Sequence, residues 1–153
     1  MCDPPPSRPF EEVSADLFSL AGKSFLIYVD KLSGFPIVAE WRHDPTANQV
    51  AYACREFFAT LGVPTKFRSD GGPQFSSSSF AKFLKRWGVI WSPSTPHFPS
   101  SNAHAECYVK QIKNLLAKLP IADTKSEEFH EAILELRNTP RLGQLSPNQV
   151  VFG

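Results

Sequence analysis

The sequence predicts an α/β domain on a mixed five-stranded sheet, a three-strand antiparallel meander plus parallel strands, with helices on both faces. Three observations predict it. The first part of the chain holds three runs of β-forming residues separated by turn signals. From Thr46 onward, strands alternate with amphipathic helices. Finally, 153 residues, 42% of them hydrophobic with 13 Phe and 3 Trp, suffice for one domain with a real core.

Met1–Pro9 contains four prolines, which exclude a helix, so residues 1–9 read as an extended leader before a 10–153 core. From Val13, apolar Val13, Ala15 and Leu17 alternate with polar positions, the period of a strand. Ser24–Asp30, rich in β-formers, is the second strand. It ends at a Ser33-Gly34 turn, and Pro36–Trp41 resumes the pattern. Thr46 with Gln49 three places on is a capping box that opens a helix. Val50, Cys54, Phe57 and Leu61 line one face of it, and Gly62 is a natural residue to end it.

Val63-Pro64 then breaks the chain, and Thr65–Ser69 is a short strand ending at Asp70. A second helix runs from about Ser77 to Trp87, with Phe80, Phe83, Leu84 and Trp87 inward and Gly88 closing it. Val89–Trp91 is another short strand. Pro93, Pro96 and Pro99 hold an irregular loop to about Ser101, and a third helix follows from about Asn102 to Leu119. Ser126 caps a fourth helix built on Phe129, Ile133 and Leu136, which stops before Pro140. Ser146-Pro147 starts a last short turn of helix, because Pro is favoured at the first helical position.

Bulk properties exclude some classes. A net charge of +1 is low for a free-standing DNA-binding module, so any basic surface must be local or supplied by flanking domains. Cys2, Cys54 and Cys107 are an odd number with no close pair, which argues for a reducing compartment and against disulfides. The four His form no zinc-finger spacing. No apolar run is long enough to cross a bilayer, and Met1–Pro9 lacks a signal-peptide core, so no membrane association is expected. Cys54 reads as a buried core thiol, Cys107 as inert, and Asp30 as a turn residue. Lys82, Lys85 and Arg86 read as a solvated helix face.

Three acids stand out as candidate metal ligands. Asp16 lies in an otherwise apolar strand, where a carboxylate is costly unless paired or metal-bound; an exposed face of an edge strand would also accommodate it. Asp70 follows a strand, where ligands gather in open α/β sheets, yet Asp before Gly71-Gly72 is also a turn signal. Glu106 shares a polar helical stripe with Asn102, Lys110 and Lys113, opposite an apolar stripe that includes Tyr108, Ile112 and Leu116. An ordinary Glu106–Lys110 surface pair explains it equally well. Converging carboxylates are what two-metal phosphoryl transfer needs, since two Mg²⁺ roughly 3.5–4 Å apart must be held by oxygen ligands.

The words around these acids add context. Phe67-Arg68-Ser69-Asp70-Gly71-Gly72-Pro73-Gln74-Phe75 resembles the second-aspartate motif of gypsy-class LTR-retrotransposon integrases. Ser94 through Glu106 resembles their glutamate motif, written Y-H-P-Q-S-N-G-x-A-E, and 35 residues separate Asp70 from Glu106, the D,D-35-E interval of that superfamily. With 15 Asp and Glu in the chain, one pair at that interval could arise by chance. The Leu136–Pro140 and Leu145–Gly153 words resemble the R-N-T-P and S-P-x-x-x-x-x-G ending, so four extended words stand in the right order. The resemblance runs from about Pro9 to Gly153.

The resemblance implies an RNase H-like fold and two-metal nicking of element ends, followed by strand transfer into target DNA. Asp16, Asp70 and Glu106 would hold two Mg²⁺, with Mn²⁺ as a substitute. It puts Asn102, Lys110 and Lys113 where residues contact the element's DNA end, and it implies homo-oligomers working in the nucleus. Two departures weaken the motif. Ala103 replaces its usual Gly, which predicts a stiffer hinge and reduced activity, and Cys107 replaces a frequent Arg. His97 and His104 lie nearby and are not read as ligands. The family's N-terminal zinc domain and C-terminal DNA-binding domain have no counterpart in this sequence, which suits a fragment or a decayed copy. The alternatives are an idle integrase-like domain that binds nucleic acid or protein, and an RNA–DNA hybrid ribonuclease. A glutamate on a late helix with a lysine stripe argues against the ribonuclease.

Overall fold

The computed structural model describes residues 6–94, 103–120, 122–140 and 144–153. The elements are β1 (Glu12–Leu20), β2 (Lys23–Asp30), β3 (Pro36–Trp41), α1 (Ala47–Leu61), β4 (Lys66–Ser69), α2 (Pro73–Ser76), α3 (Ser78–Arg86), β5 (Ile90–Pro93), α4 (Ala103–Lys118), α5 (Glu127–Asn138) and α6 (Pro147–Phe152). The sheet order is β3-β2-β1-β4-β5. β1 and β3 flank β2 antiparallel, and β4 joins β1 and β5 in parallel, so the mixed sheet with its meander is as expected.

The meander forms because its first turn is tight. Leu20 pairs with Lys23, so Ala21 and Gly22 alone make the loop, with φ of 53° and 77°. Two successive positive φ values define the type I′ turn that matches strand twist. Gly34 closes the second turn at φ 78°, and a Cβ there would overlap the Tyr108 ring.

β2 is buried on both faces. Leu26 and Tyr28 join Val13, Phe67, Val50, Phe58 and Phe80 in a core beneath α1 and α3. Phe25, Ile27 and Val29 join Tyr108, Ile112, Leu116, Phe129 and Ile133 in a second core beneath α4 and α5. Helices thus cover both faces, and the side chains alternate between the two cores as strand geometry requires.

The caps read from sequence are in place. Thr46 and Gln49 form a reciprocal capping box, Ser126 caps α5 through Phe129 N–H, and Ser146 and Gln149 form a second box with Pro147 at the first helical position. Four details differ. β1 is the central strand, so Asp16 is not on an edge. α2 is an added turn, because Pro73 opens a helix where Gly71-Gly72-Pro73 reads as loop. β5 begins at Ile90, since Val89 N–H closes α3 by donating to the Leu84 carbonyl. The described residues before β1 fold in: Pro6 is buried, Glu11 N–H donates to the Arg8 carbonyl, and Phe10, the first core residue, turns at φ 60°. Its ring stacks on Tyr28 and meets Phe35 edge-on.

Two buried polar groups matter for stability. Asp30 is fully buried and accepts from Phe10 N (2.7 Å), Ser33 N (3.0 Å), Ser33 Oγ (2.6 Å) and Leu32 N (3.4 Å). It is a turn residue, as read, and also ties Phe10, ahead of β1, to the meander. The Tyr28 hydroxyl, in contrast, is buried without a hydrogen-bond partner among the described residues. Tyr28→Phe is therefore expected to stabilise the fold by about 1 kcal/mol, since it removes an unsatisfied polar atom and keeps the ring. That is a rise in Tm of about 2–4 °C for a chain of this size. A fall in Tm in thermal unfolding would contradict this account of the hydroxyl.

The ending words brace the fold. Arg137 donates from Nε and Nη2 to the Pro36 carbonyl and lies over the Phe35 ring at 4.3 Å. Burial pushes its guanidinium down to about 10, which still leaves it charged at neutral pH. Asn138 accepts from Asn148 across to α6, and Phe152 meets Phe35 edge-on. Cys54 is a fully buried core thiol whose burial pushes its ionisation up, as expected of an inert residue.

Candidate active site

Strand parity and register converge on one corner of the sheet. On β1, Val13, Ala15 and Leu17 face the α1 side, so Ser14 and Asp16 face α4. Ser14 pairs with Arg68 across the parallel β1–β4 ladder. Two residues further on, Asp16 comes level with Asp70, which directly follows β4. α4 lies over this face through Tyr108, Ile112 and Leu116, and its first turn carries Glu106. Lys110 and Lys113 follow about one and two turns later on the same stripe.

Asp16, Asp70, Glu106, Lys110 and Lys113 line one cavity of about 320 Å³, together with Ser14, Ala15, Arg68, Ser94 and Val109. Five of the six residues singled out from sequence therefore share it. The sixth, Asn102, lies outside the described residues, as do His97 and the His104 side chain. Sequence reading missed Arg68 as a wall of the cavity. The signal was there: it stands two residues before Asp70, on the strand that leads to it. Ser94 gave no such signal.

The Asp70 turn is held from both sides. Its Oδ1 accepts from Gly72 N–H at 2.9 Å, the side-chain turn that Asp favours. A Cβ at Gly72 would stand 3.1 Å from that oxygen, so a larger residue there would crowd the carboxylate. Beneath it, buried Ser69 accepts from Trp91 Nε1 (2.8 Å) and donates to the Asp70 carbonyl (3.0 Å). Ser94 N–H in turn donates to the Ser69 carbonyl at 2.8 Å. The turn reading of Asp70 and the ligand reading are thus compatible, since Oδ2 takes no part in the turn bond.

Asp16 already faces a cation. Lys113 Nζ is 2.6 Å from Asp16 Oδ2 and 5.1 Å from the Phe18 ring, with both charged groups part-exposed. The cost of a carboxylate in an apolar strand is met by this partner. Among the described residues, no three His, Cys, Asp or Glu side chains stand close enough together to clasp one ion. The carboxylates surround the cavity without converging on one point.

Comparison with known proteins settles the family. The model of the integrase core domain matches residues 6–99, more than half of the chain. The chain belongs to the integrase core family. The Pol polyprotein of Radiation murine leukemia virus (strain Kaplan) is 28% identical over 148 residues, which cover 94% of this chain and 25% of that protein. The Pol polyprotein of Feline endogenous virus ECE1 is 30% identical over 136 residues, 86% of this chain and 13% of that protein. The integrase core thus spans a quarter or less of these relatives. Among solved structures, the catalytic core domain of BIV integrase superposes with a TM-score of 0.76 at 19% identity over 93% of each chain. A simian T-cell lymphotropic virus intasome in complex with PP2A regulatory subunit B56 gamma matches with the same score at 18% identity, over 95% of this chain and 55% of that one. The RNase H-like fold expected from the sequence is therefore the fold of this integrase core.

Proposed function

We propose that this integrase core is the catalytic domain of a retroelement integrase, a polynucleotidyl transferase that nicks the element's DNA ends and joins them to target DNA. The observation that carries the reading is the single cavity shared by Asp16, Asp70, Glu106, Lys110 and Lys113. Residues 10–153 form the working core on this reading, its partners are DNA and further copies of the chain, and its place of work is the nucleus. No helix among the described residues is long and apolar enough to cross a membrane.

The donor set suits a hard divalent cation, because it offers carboxylate oxygens only, and Asp16 holds an ammonium in this structure. Asp16, Asp70 and Glu106 would hold two Mg²⁺, with Mn²⁺ as a substitute. When bound, the ions supply activation of a water or 3′-hydroxyl and charge relief at the leaving oxygen. The chain's own residues do the rest. Lys110 and Lys113 bind phosphates of the DNA end beside the acids, with Asn102 as a further contact, and Arg68 adds a third positive charge on the cavity wall. Lys113 has two partners to choose between, Asp16 and a phosphate, so DNA binding frees the Asp16 carboxylate.

One observation favours the second reading, an idle integrase-like binding module: the three carboxylates do not converge. A metal titration separates the two. Saturating Mg²⁺ is expected to raise the Tm of the wild type, since a ligand at 100 times its Kd adds about 2.7 kcal/mol. Glu106→Gln is expected to lose most of that rise. Equal responses in the two proteins, or none in either, would remove the metal-dependent reading and leave the binding module.

A further inference from the structure

We propose that Trp91 is a positioning residue for Asp70: its indole N–H, acting through the Ser69 hydroxyl, fixes the stretch of backbone that aims the Asp70 carboxylate into the cavity. The catalytic consequence rests on the integrase reading; the relay itself rests on geometry.

Register brings the three residues together. β5 pairs with β4 alone and forms one edge of the sheet. Trp91 lies opposite Phe67 in the parallel ladder, and Ser69 is two residues further along β4, on the same face. The indole therefore reaches Ser69 diagonally, and its Nε1 donates to Ser69 Oγ at 2.8 Å. Ser69 Oγ donates in turn to the Asp70 carbonyl at 3.0 Å. Chemistry fixes the direction of the relay. An indole N–H can only donate, so the hydroxyl accepts from Trp91 and keeps its single proton for Asp70. Ser69 is fully buried, where a hydroxyl has to find its partners inside the protein.

The turn needs such a restraint. Asp70 is followed by Gly71 and Gly72, the residue type with the widest backbone freedom. On that side the carboxylate is tied by the 2.9 Å bond from Gly72 N–H to Oδ1. That bond alone lets carboxylate and glycines swing together as one unit. The Asp70 carbonyl, held by Ser69, anchors the unit to the sheet, and the Ser69 carbonyl is itself held by Ser94 N–H at 2.8 Å. Asp70 and Ser94 both line the cavity, so Ser69 ties two of its walls together from beneath.

The placing of Trp91 suits this role better than a packing role. Trp41 and Trp87 pack against the first core, whereas Trp91 belongs to neither core and is 40% exposed. A half-wet ring on an edge strand adds little burial, yet its one polar atom is directed at a buried hydroxyl beside a candidate metal ligand. A neutral hydrogen bond adds only modestly to stability, whereas a shift of about 1 Å at a reacting group can cost about a hundredfold in rate. Loss of the relay is therefore felt at the site more than in the fold.

Removal of the indole N–H with an aromatic ring kept in place tests the proposal. Trp91→Phe is expected to lower kcat for disintegration of a branched DNA substrate by about ten- to a hundredfold, with KM within about twofold and Tm within about 4 °C. The Mg²⁺ concentration that gives half of the rise in Tm is expected to increase about tenfold. Exchange of the Gly72 amide proton, followed by NMR without metal or DNA, is expected to quicken about tenfold, because the Gly72 bond opens with the turn. Ser69→Ala removes the relay without touching the ring and is expected to match these effects, and the double variant to be no worse than either. Trp91→His is expected to restore kcat to within about threefold of the wild type. Imidazole superposes on the five-membered ring of indole, with Nε2–H in place of Nε1–H.

Unchanged Gly72 exchange in Trp91→Phe and Ser69→Ala overturns the proposal. So does a Trp91→His variant as impaired as Trp91→Phe, which would assign the effect to lost ring packing, and so do fully additive losses in the double variant. If Trp91→Phe does not fold, Gly72 exchange and kcat in Ser69→Ala decide. Faster Gly72 exchange in both variants, beside a wild type with neither disintegration activity nor a Mg²⁺ response, would keep the relay and remove the integrase reading.

Discussion

Asp70→Asn is expected to lower disintegration of a branched DNA substrate by about a thousandfold or more, with the melting temperature close to that of the wild type. The two halves of this expectation have separate physical causes. Asn retains the Oδ1 that accepts from Gly72 N–H, so the turn after β4 keeps its bond. It loses the negative charge, and a neutral amide is a poor ligand for a divalent cation that has to stabilise a developing oxyanion. The thousandfold figure corresponds to about 4 kcal/mol of barrier, the size of one strong electrostatic contribution. The assay is run with Mn²⁺ and with the variant purified identically. Equal rates in the two proteins would trace the activity to a contaminating nuclease and remove the enzymatic reading.

The second large effect concerns stability. Asp30→Ala is expected to cost about 3–5 kcal/mol, because it strands the buried N–H groups of Phe10 and Ser33 and cuts the tie between the segment ahead of β1 and the meander. Denaturant titration reads it directly, and a loss below about 1 kcal/mol would mean that water replaces the carboxylate. The pH dependence has a definite sign. Burial pushes the Asp30 carboxyl up, against the opposing pull of its hydrogen bonds to Ser33, Phe10 and Leu32. The folded carboxyl then keeps its proton to higher pH than the unfolded one. Its contribution is full below the unfolded value near 4 and declines as pH rises toward the folded value. The stability of the wild type relative to Asp30→Asn is expected to fall across that window. A rise there would reverse the assignment.

The parts of the fold read correctly from sequence were those set by local chemistry. Thr46 and Gln49, Ser126, and Ser146 with Pro147 marked helix starts because capping is decided within four residues. What escaped depends on partners far away in the chain. Asp16 could not be seen as central, because only pairing with both β2 and β4 makes β1 so. Its contact with Lys113 spans almost a hundred residues, and a shared helical stripe said nothing of that ammonium reaching a strand. Asp30 read as a turn residue from its neighbours, yet its shortest backbone contact is with Phe10, twenty residues earlier. α2 was hidden by a plain ambiguity, since Gly-Gly-Pro suits a loop and a helix start equally. For the site, the motif words located the carboxylates, and the register brought two of the strands that carry them level.

One strand, β2, lends alternate residues to both apolar layers. A domain wired in this way has no plane of weakness. If the helices over the acids were to melt, they would bare half of β2 and so undermine the packing beneath α1 and α3, and the converse holds as well. The two faces are thus bound to a common fate, and a lesion in either is felt as loss of the whole rather than as local fraying.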